Sequence, residues 1–191
     1  LVFYVYPLLT GVGAWLTRQE ALNKGLIISL IGGFVGLAFA IEITGNSANT
    51  TGIAFAGFAS ILMAATALLS ARVLKTNNAL SVTLHMHISA AALFIVVSLA
   101  FWELNLPQTT QGWVGYIAVP VFYTIAISAF FAGISLIGAV RASLVMNLEP
   151  VGSIALGFIL LGQVLTPRQL LGAAIVIGAV TATKWLVGKR K

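Results

Sequence analysis

The chain has 191 residues, 60% of them hydrophobic and only 7% charged, with 19 glycines, no cysteine and a formal charge of +6. Soluble domains carry roughly 25% charged residues, so a soluble fold has no way to hide this apolar surface, and disorder is excluded on the same ground. Without cysteine there is no disulfide framework, CxxC zinc site or thiol nucleophile. The basic residues lie between long apolar runs rather than on one phosphate-binding face, so no nucleic-acid partner is expected.

A helix needs about 20 mainly apolar residues to cross the hydrocarbon of a bilayer. Seven stretches meet or approach that length, at residues 1–16, 25–41, 52–71, 80–101, 114–140, 142–162 and 169–187. They lack the strict alternation of a barrel strand, which predicts an all-α integral membrane bundle of about seven transmembrane helices. Loop signals fall at Thr44 to Thr51, Lys75 to Asn78, Asn105 to Gln108 and Thr166 to Arg168.

Alternate connections and the tail carry Arg18, Lys24, Arg72, Lys75, Arg141, Lys184, Lys189, Arg190 and Lys191, whereas the opposite side carries only Arg168. The positive-inside rule assigns the richer side, with the C-terminus, to the cytoplasm. Glu42 and Glu103 then end helices on the outer side, and Trp102, Trp113 and Trp185 serve as interfacial anchors. The chain opens on Leu1 with neither Met nor a basic leader, already apolar. A cytoplasmic start of the intact protein therefore predicts an odd number of helices upstream.

Aligning Pro7 with Pro150 sets an offset of 143 residues that also matches Leu22 with Leu165 and Glu20 with Gln163. Each block reads proline, small or apolar residues, a short polar turn, then a Gly-rich helix. The offset spans five helices, an odd number, so the two blocks are expected to cross in opposite senses as an inverted repeat. The stretch NLEPVGSIALGFILLGQVLTPRQLLGAAIVIGAV, ending at residue 180, resembles the end of an EamA repeat of the drug/metabolite transporter superfamily, and YPLLTGVGAWLTRQEAL, from residue 6, is similar to the corresponding piece of the first repeat. Two departures stand out: Gln163 where the family usually has Glu, and Arg18-Gln19 where Leu-Gly usually precedes the acid.

That resemblance implies a ten-helix fold of two inverted five-helix repeats, of which this chain matches helices four to ten and lacks the first three. Residues 1–42 then close the first repeat, 52–187 form the second, and 188–191 are a basic cytoplasmic tail. It implies a secondary transporter, an exporter of a small organic metabolite, amino acid-like solute or drug across a bacterial inner or plasma membrane by alternating access. The expected partners are the lipid bilayer, a small solute with proton coupling, and a second copy of the chain as a homodimer.

Glu149 is the main candidate for chemistry. A carboxylate within a span costs roughly 2.5–3.5 kcal/mol at the helix centre and less off-centre, and is tolerated where it meets a partner or a wet cavity. Helical spacing groups Glu149 with Gly152, Ser153 and Gly157 on a small, polar face. Pro150 removes a donor to the Met146 carbonyl and is expected to kink the helix and bare that oxygen. Pro7 and Pro120 are expected to act likewise in their own segments. His85 and His87, two residues apart, point about 200° from each other and do not chelate one metal together; one of them is a candidate relay partner for Glu149. Tyr123 and Thr124 are candidate cavity walls.

No metal or cofactor is expected. No GxSxG, HExxH or paired Asp occurs, since all four acids are glutamate, so the chain is not expected to be an enzyme. A retinal-type protein built on Lys184 lacks a counter-ion acid in the third segment, and a non-transport assembly subunit is the remaining alternative.

Overall fold

The structure, a computed structural model, describes residues 1–41, 49–101 and 106–186, with the side chains of 184–186 outside the description. Glu42, Trp102, Glu103, the loop signals at 44–48 and 105, Lys184 and Trp185 as side chains, and the tail from 187 therefore lie outside the described residues. Among the described residues every regular element is helical: a 3-10 turn over Val2–Val5, then α1 Tyr6–Leu16, α2 Lys24–Ala40, α3 Thr50–Val73, α4 Ala79–Phe101, α5 Thr110–Ile137, α6 Ala139–Val145, α7 Leu148–Leu161 and α8 Pro167–Leu186. Thr50–Val73, Ala79–Phe101, Thr110–Ile137 and the stretch Ala139–Leu161 are long and apolar enough to cross a membrane, and Val2–Leu16, Lys24–Ala40 and Pro167–Thr183 are shorter apolar helices. This is an all-α integral membrane protein.

Two predicted segments differ from the observed elements. The fifth stops at Ile137 rather than 140, because Gly138 adopts φ +87° and ψ 164°, a conformation that leaves the helix and suits a residue without Cβ. The sixth is not one helix from 142. It starts at Ala139 and is interrupted at Met146 and Asn147. There the Asn147 N–H donates to Leu144 O (3.1 Å) and the Glu149 N–H to Met146 O (3.0 Å), a tighter i to i−3 pattern. The carbonyl that Pro150 leaves free is thus taken by Glu149 N–H, and the predicted bare oxygen is not found.

The chain divides into two compact units, one of Leu1–Leu69 with Ile137–Lys191, the other of Ser70–Leu136. In the first unit α2 and α8 run antiparallel. The start of α8 meets the end of α2, where Arg168 donates to Ala38 O (3.2 Å) and lies over the Phe39 ring at 5.7 Å, and the later residue Ala179 meets the earlier Gly32. The contact is close because it is made by glycines. A Cβ built on Gly36 would lie 2.8 Å from Val176 N and 2.9 Å from Gly172 O, and one built on Gly172 would collide with the backbone of Ala40. Small residues that let backbones approach are how helices associate where lipid is as apolar as the side chains. A second layer joins Ala14 of α1, Leu26 and Leu30 of α2, and Val140 and Leu144 of α6 in one buried cluster.

The helix ends follow from local chemistry. Asn23 caps α2, its Oδ1 accepting from Leu26 N–H at 2.8 Å. Thr166 and Gln169 form a reciprocal capping box on α8, with Gln169 N–H to Thr166 Oγ1 at 3.2 Å and Thr166 N–H to Gln169 Oε1 at 2.9 Å. The offset of 143 carries Asn23 onto Thr166 and the first residue of α2, Lys24, onto Pro167, the first of α8. α1 ends in a Schellman turn, Gln19 N–H to Ala14 O (2.8 Å) and Arg18 N–H to Trp15 O (3.1 Å). The residue at its left-handed position is Arg18, φ 55°, whereas the second block places Gly162, φ 64°, at the end of α7. Left-handed backbone costs an L-residue roughly 1–2 kcal/mol, against the greater unfolded-state freedom of glycine. Arg18→Gly is therefore expected to stabilise the protein by about 0.5–1 kcal/mol, read as a rise in Tm in detergent micelles.

Candidate functional site

Both prolines of the repeat are buried, and both start helices rather than kink them, which corrects the expectation for Pro7 and Pro150. Pro7 stands in the first turn of α1 just after the 3-10 turn, and Pro150 in the first turn of α7 just after the interruption at Met146 and Asn147. A proline lacks only a donor that the first turn does not need. Each proline is preceded by the residue that matters: Tyr6, 1% exposed, and Glu149, exposed on the open side of α7 with Gly152 and Ser153. Gly157, grouped with Glu149 by spacing, is buried instead.

Tyr6 and Glu149 are counterparts under the offset of 143. The α2–α8 contact obeys the same relation: the image of Gly36 against Val176 is position 33 against Ala179, and Gly32 against Ala179 is observed at 3.5 Å. α1 packs on α6, where a Cβ on Gly11 would stand 3.8 Å from Val140 Cγ1 and Ala14 joins the Val140 and Leu144 cluster.

Tyr6 has aromatic and polar neighbours. The Phe3 ring packs on Tyr4 (5.4 Å between centroids) and on Tyr6 (5.3 Å). Thr10, 0% exposed, donates to Tyr6 O at 2.8 Å. Asn147 is buried against Gly33, where a Cβ would stand 2.9 Å from its Nδ2, and its Oδ1 and the Oγ of Ser143, one turn earlier, are buried without partners.

The other predicted site residues belong to the second unit. On α4, exposed His85 donates from Nδ1 to Ser81 O (2.7 Å) and half-buried His87 from Nδ1 to Thr83 O (2.8 Å), which leaves each Nε2 as the acceptor. On α5, Pro120 lies inside a continuous helix, and the Thr124 hydroxyl donates to Pro120 O at 2.8 Å. Tyr123 and Thr124 are exposed. Among the described residues no three of His, Cys, Asp and Glu come together.

Tyr4, Tyr6, Asn147 and Ser143 were not singled out by sequence reasoning. Carrying the 143-residue offset one position back from the prolines reaches Tyr6. For Asn147 the usable signal was a polar residue three before a proline inside an apolar span.

Helices with the length and polarity of membrane spans define a polytopic all-α membrane protein. Residues 50–184 match the EamA-like transporter family, and the chain belongs to that family. It is also similar to the protein named "Uncharacterized transporter YyaM" of Bacillus subtilis (strain 168), with 29% identity over 196 aligned residues that cover 96% of this chain and 63% of that protein. The chain thus spans less than two thirds of that relative's length.

Proposed function

We infer that the protein works as a secondary transporter, exporting a small organic solute with an ammonium group (a metabolite, an amino acid-like compound or a drug) by alternating access of two inverted repeats. The observation that carries this reading is the exposed carboxylate of Glu149, set one residue before the buried Pro150 in the first turn of α7, in a chain whose residues 50–184 match a transporter family. A carboxylate within a membrane span recognises an organic cation by charge, and a site between two repeats is exposed in turn to each side as they rock. Glu149 exchanges a proton for the solute, and Ser153, Asn147 and Pro150 shape its side of the site.

In this reading residues 1–42 close the first repeat, 52–187 form the second, and the basic tail lies in the cytoplasm of a bacterial inner or plasma membrane. The protein performs no covalent chemistry, uses no metal or cofactor, and pairs as a homodimer. Counterflow into proteoliposomes of an aromatic primary amine against its neutral isostere tests the proposal. Trans-loaded amine is expected to accelerate labelled amine uptake at least tenfold over empty liposomes, with no acceleration of the isostere. Equal rates for the two compounds would overturn the assignment.

A further inference from the structure

Glu20 is the other acid in the described part of the first unit, and it makes a contact that the solute site does not use. The Schellman turn at Arg18 folds the chain back at the end of α1, so that half-buried Glu20 reaches a helix 120 residues away: its Oε1 accepts from Val140 N–H at 3.4 Å. The acceptor serves as a cap from a distance. The N-cap residue of α6, Gly138, makes no side-chain cap bond, and a carboxylate at the positive end of a helix is favourably placed. Gly138 also makes the room: a Cβ there would stand 2.5 Å from Glu20 Oε1, 2.8 Å from Cδ and 3.0 Å from Oε2. Ala14 on α1 and Ala139 and Val140 on α6, next to this contact, are 0–1% exposed.

The counterpart position in the second block behaves differently. Gln163 turns its Oε1 back onto Gly157 of its own helix, and the next residue, Val164, is 89% exposed. The turn after α1 is tied to α6, whereas the turn after α7 lies back against α7 alone. A long, charge-assisted bond of this kind is strong enough to bias a closed state and weak enough to part.

We propose that Glu20 is a gate latch: its carboxylate, seated over Gly138 on the start of α6, holds the α1–α2 turn shut, and its release opens that end of the first unit. The latch rests on the alternating-access reading above, which gives the opening its purpose. Because the chain has no cysteine, single cysteines report it directly. Ala139→Cys in native membranes is expected to react slowly with a maleimide. Adding Glu20→Ala is expected to raise the rate at least tenfold, whereas Glu20→Gln, which keeps an acceptor oxygen, stays within about threefold of the parent. Gly138→Ala provides a second variant that keeps the charge but crowds the carboxylate out and also strains the φ +87° backbone, so it is expected to raise the rate at least as far as Glu20→Ala.

Val176→Cys, buried in the α2–α8 contact, controls for general loosening and is expected to keep its rate in both backgrounds. Unchanged Ala139→Cys labelling in both Glu20→Ala and Gly138→Ala would overturn the latch, as would an equal rise at Val176→Cys. Failure of the transport reading looks different: counterflow is absent while the labelling contrast persists.

Discussion

Glu149→Gln is expected to reduce amine counterflow roughly 100-fold while the protein still folds. The substitution keeps the shape of the side chain and removes its charge, and the exposed position of Glu149 on α7 means that no packing is lost. Two decades corresponds to about 2.8 kcal/mol at 1.4 kcal/mol per factor of ten, the expected loss when the solute's ammonium no longer meets a counter-charge. Tyr6→Phe keeps the ring and removes one hydroxyl, for which a loss of up to about tenfold is expected. Glu149→Gln with an undiminished rate and an intact proton dependence would remove Glu149 from the mechanism.

The α2–α8 contact should be equally sensitive for a different reason. Gly172→Ala adds one atom that meets backbone on every side, namely Ala40 N, Gly36 O at 2.6 Å and Ala40 Cα at 2.7 Å. Overpacking against side chains costs typically 1–3 kcal/mol, and here no rotamer change relieves it, so about 3 kcal/mol or more is expected. Thermal unfolding in micelles should show a fall in Tm of several degrees and a loss of the monodisperse peak. Gly178→Ala, on the same helix with nothing within 4 Å of its Cβ position, is the control. That change should be neutral or stabilising by up to about 1 kcal/mol, the helix preference of alanine over glycine. Comparable losses at both positions would mean that helix propensity rather than close approach governs the site.

The long spans were legible because insertion into a bilayer is decided residue by residue, and the runs that became Thr50–Val73, Ala79–Phe101 and Thr110–Ile137 satisfy that test by themselves. The offset from Pro7 to Pro150 joins two prolines that both stand in first turns of helices, and the caps at Asn23 and Thr166 fall on the same offset. The interruption at Met146 and Asn147 was not legible. It depends on how the donor missing at Pro150 is compensated, and a kink and a restarted helix satisfy the same sequence. Arg18 in left-handed backbone was hidden because composition assigns that conformation to glycine. Tyr6 was overlooked because it carries no charge at neutral pH and reads as one more aromatic in an apolar run. The tie from Glu20 to Val140 spans a separation that no local pattern encodes.

The close seam of α2 and α8 has a mechanical consequence. With Gly36 and Gly172 set against opposing backbone, neither helix slides or rolls on the other without collision. The pair therefore travels as one stiff spine, and any rearrangement within this unit has to pivot about it rather than pass through it.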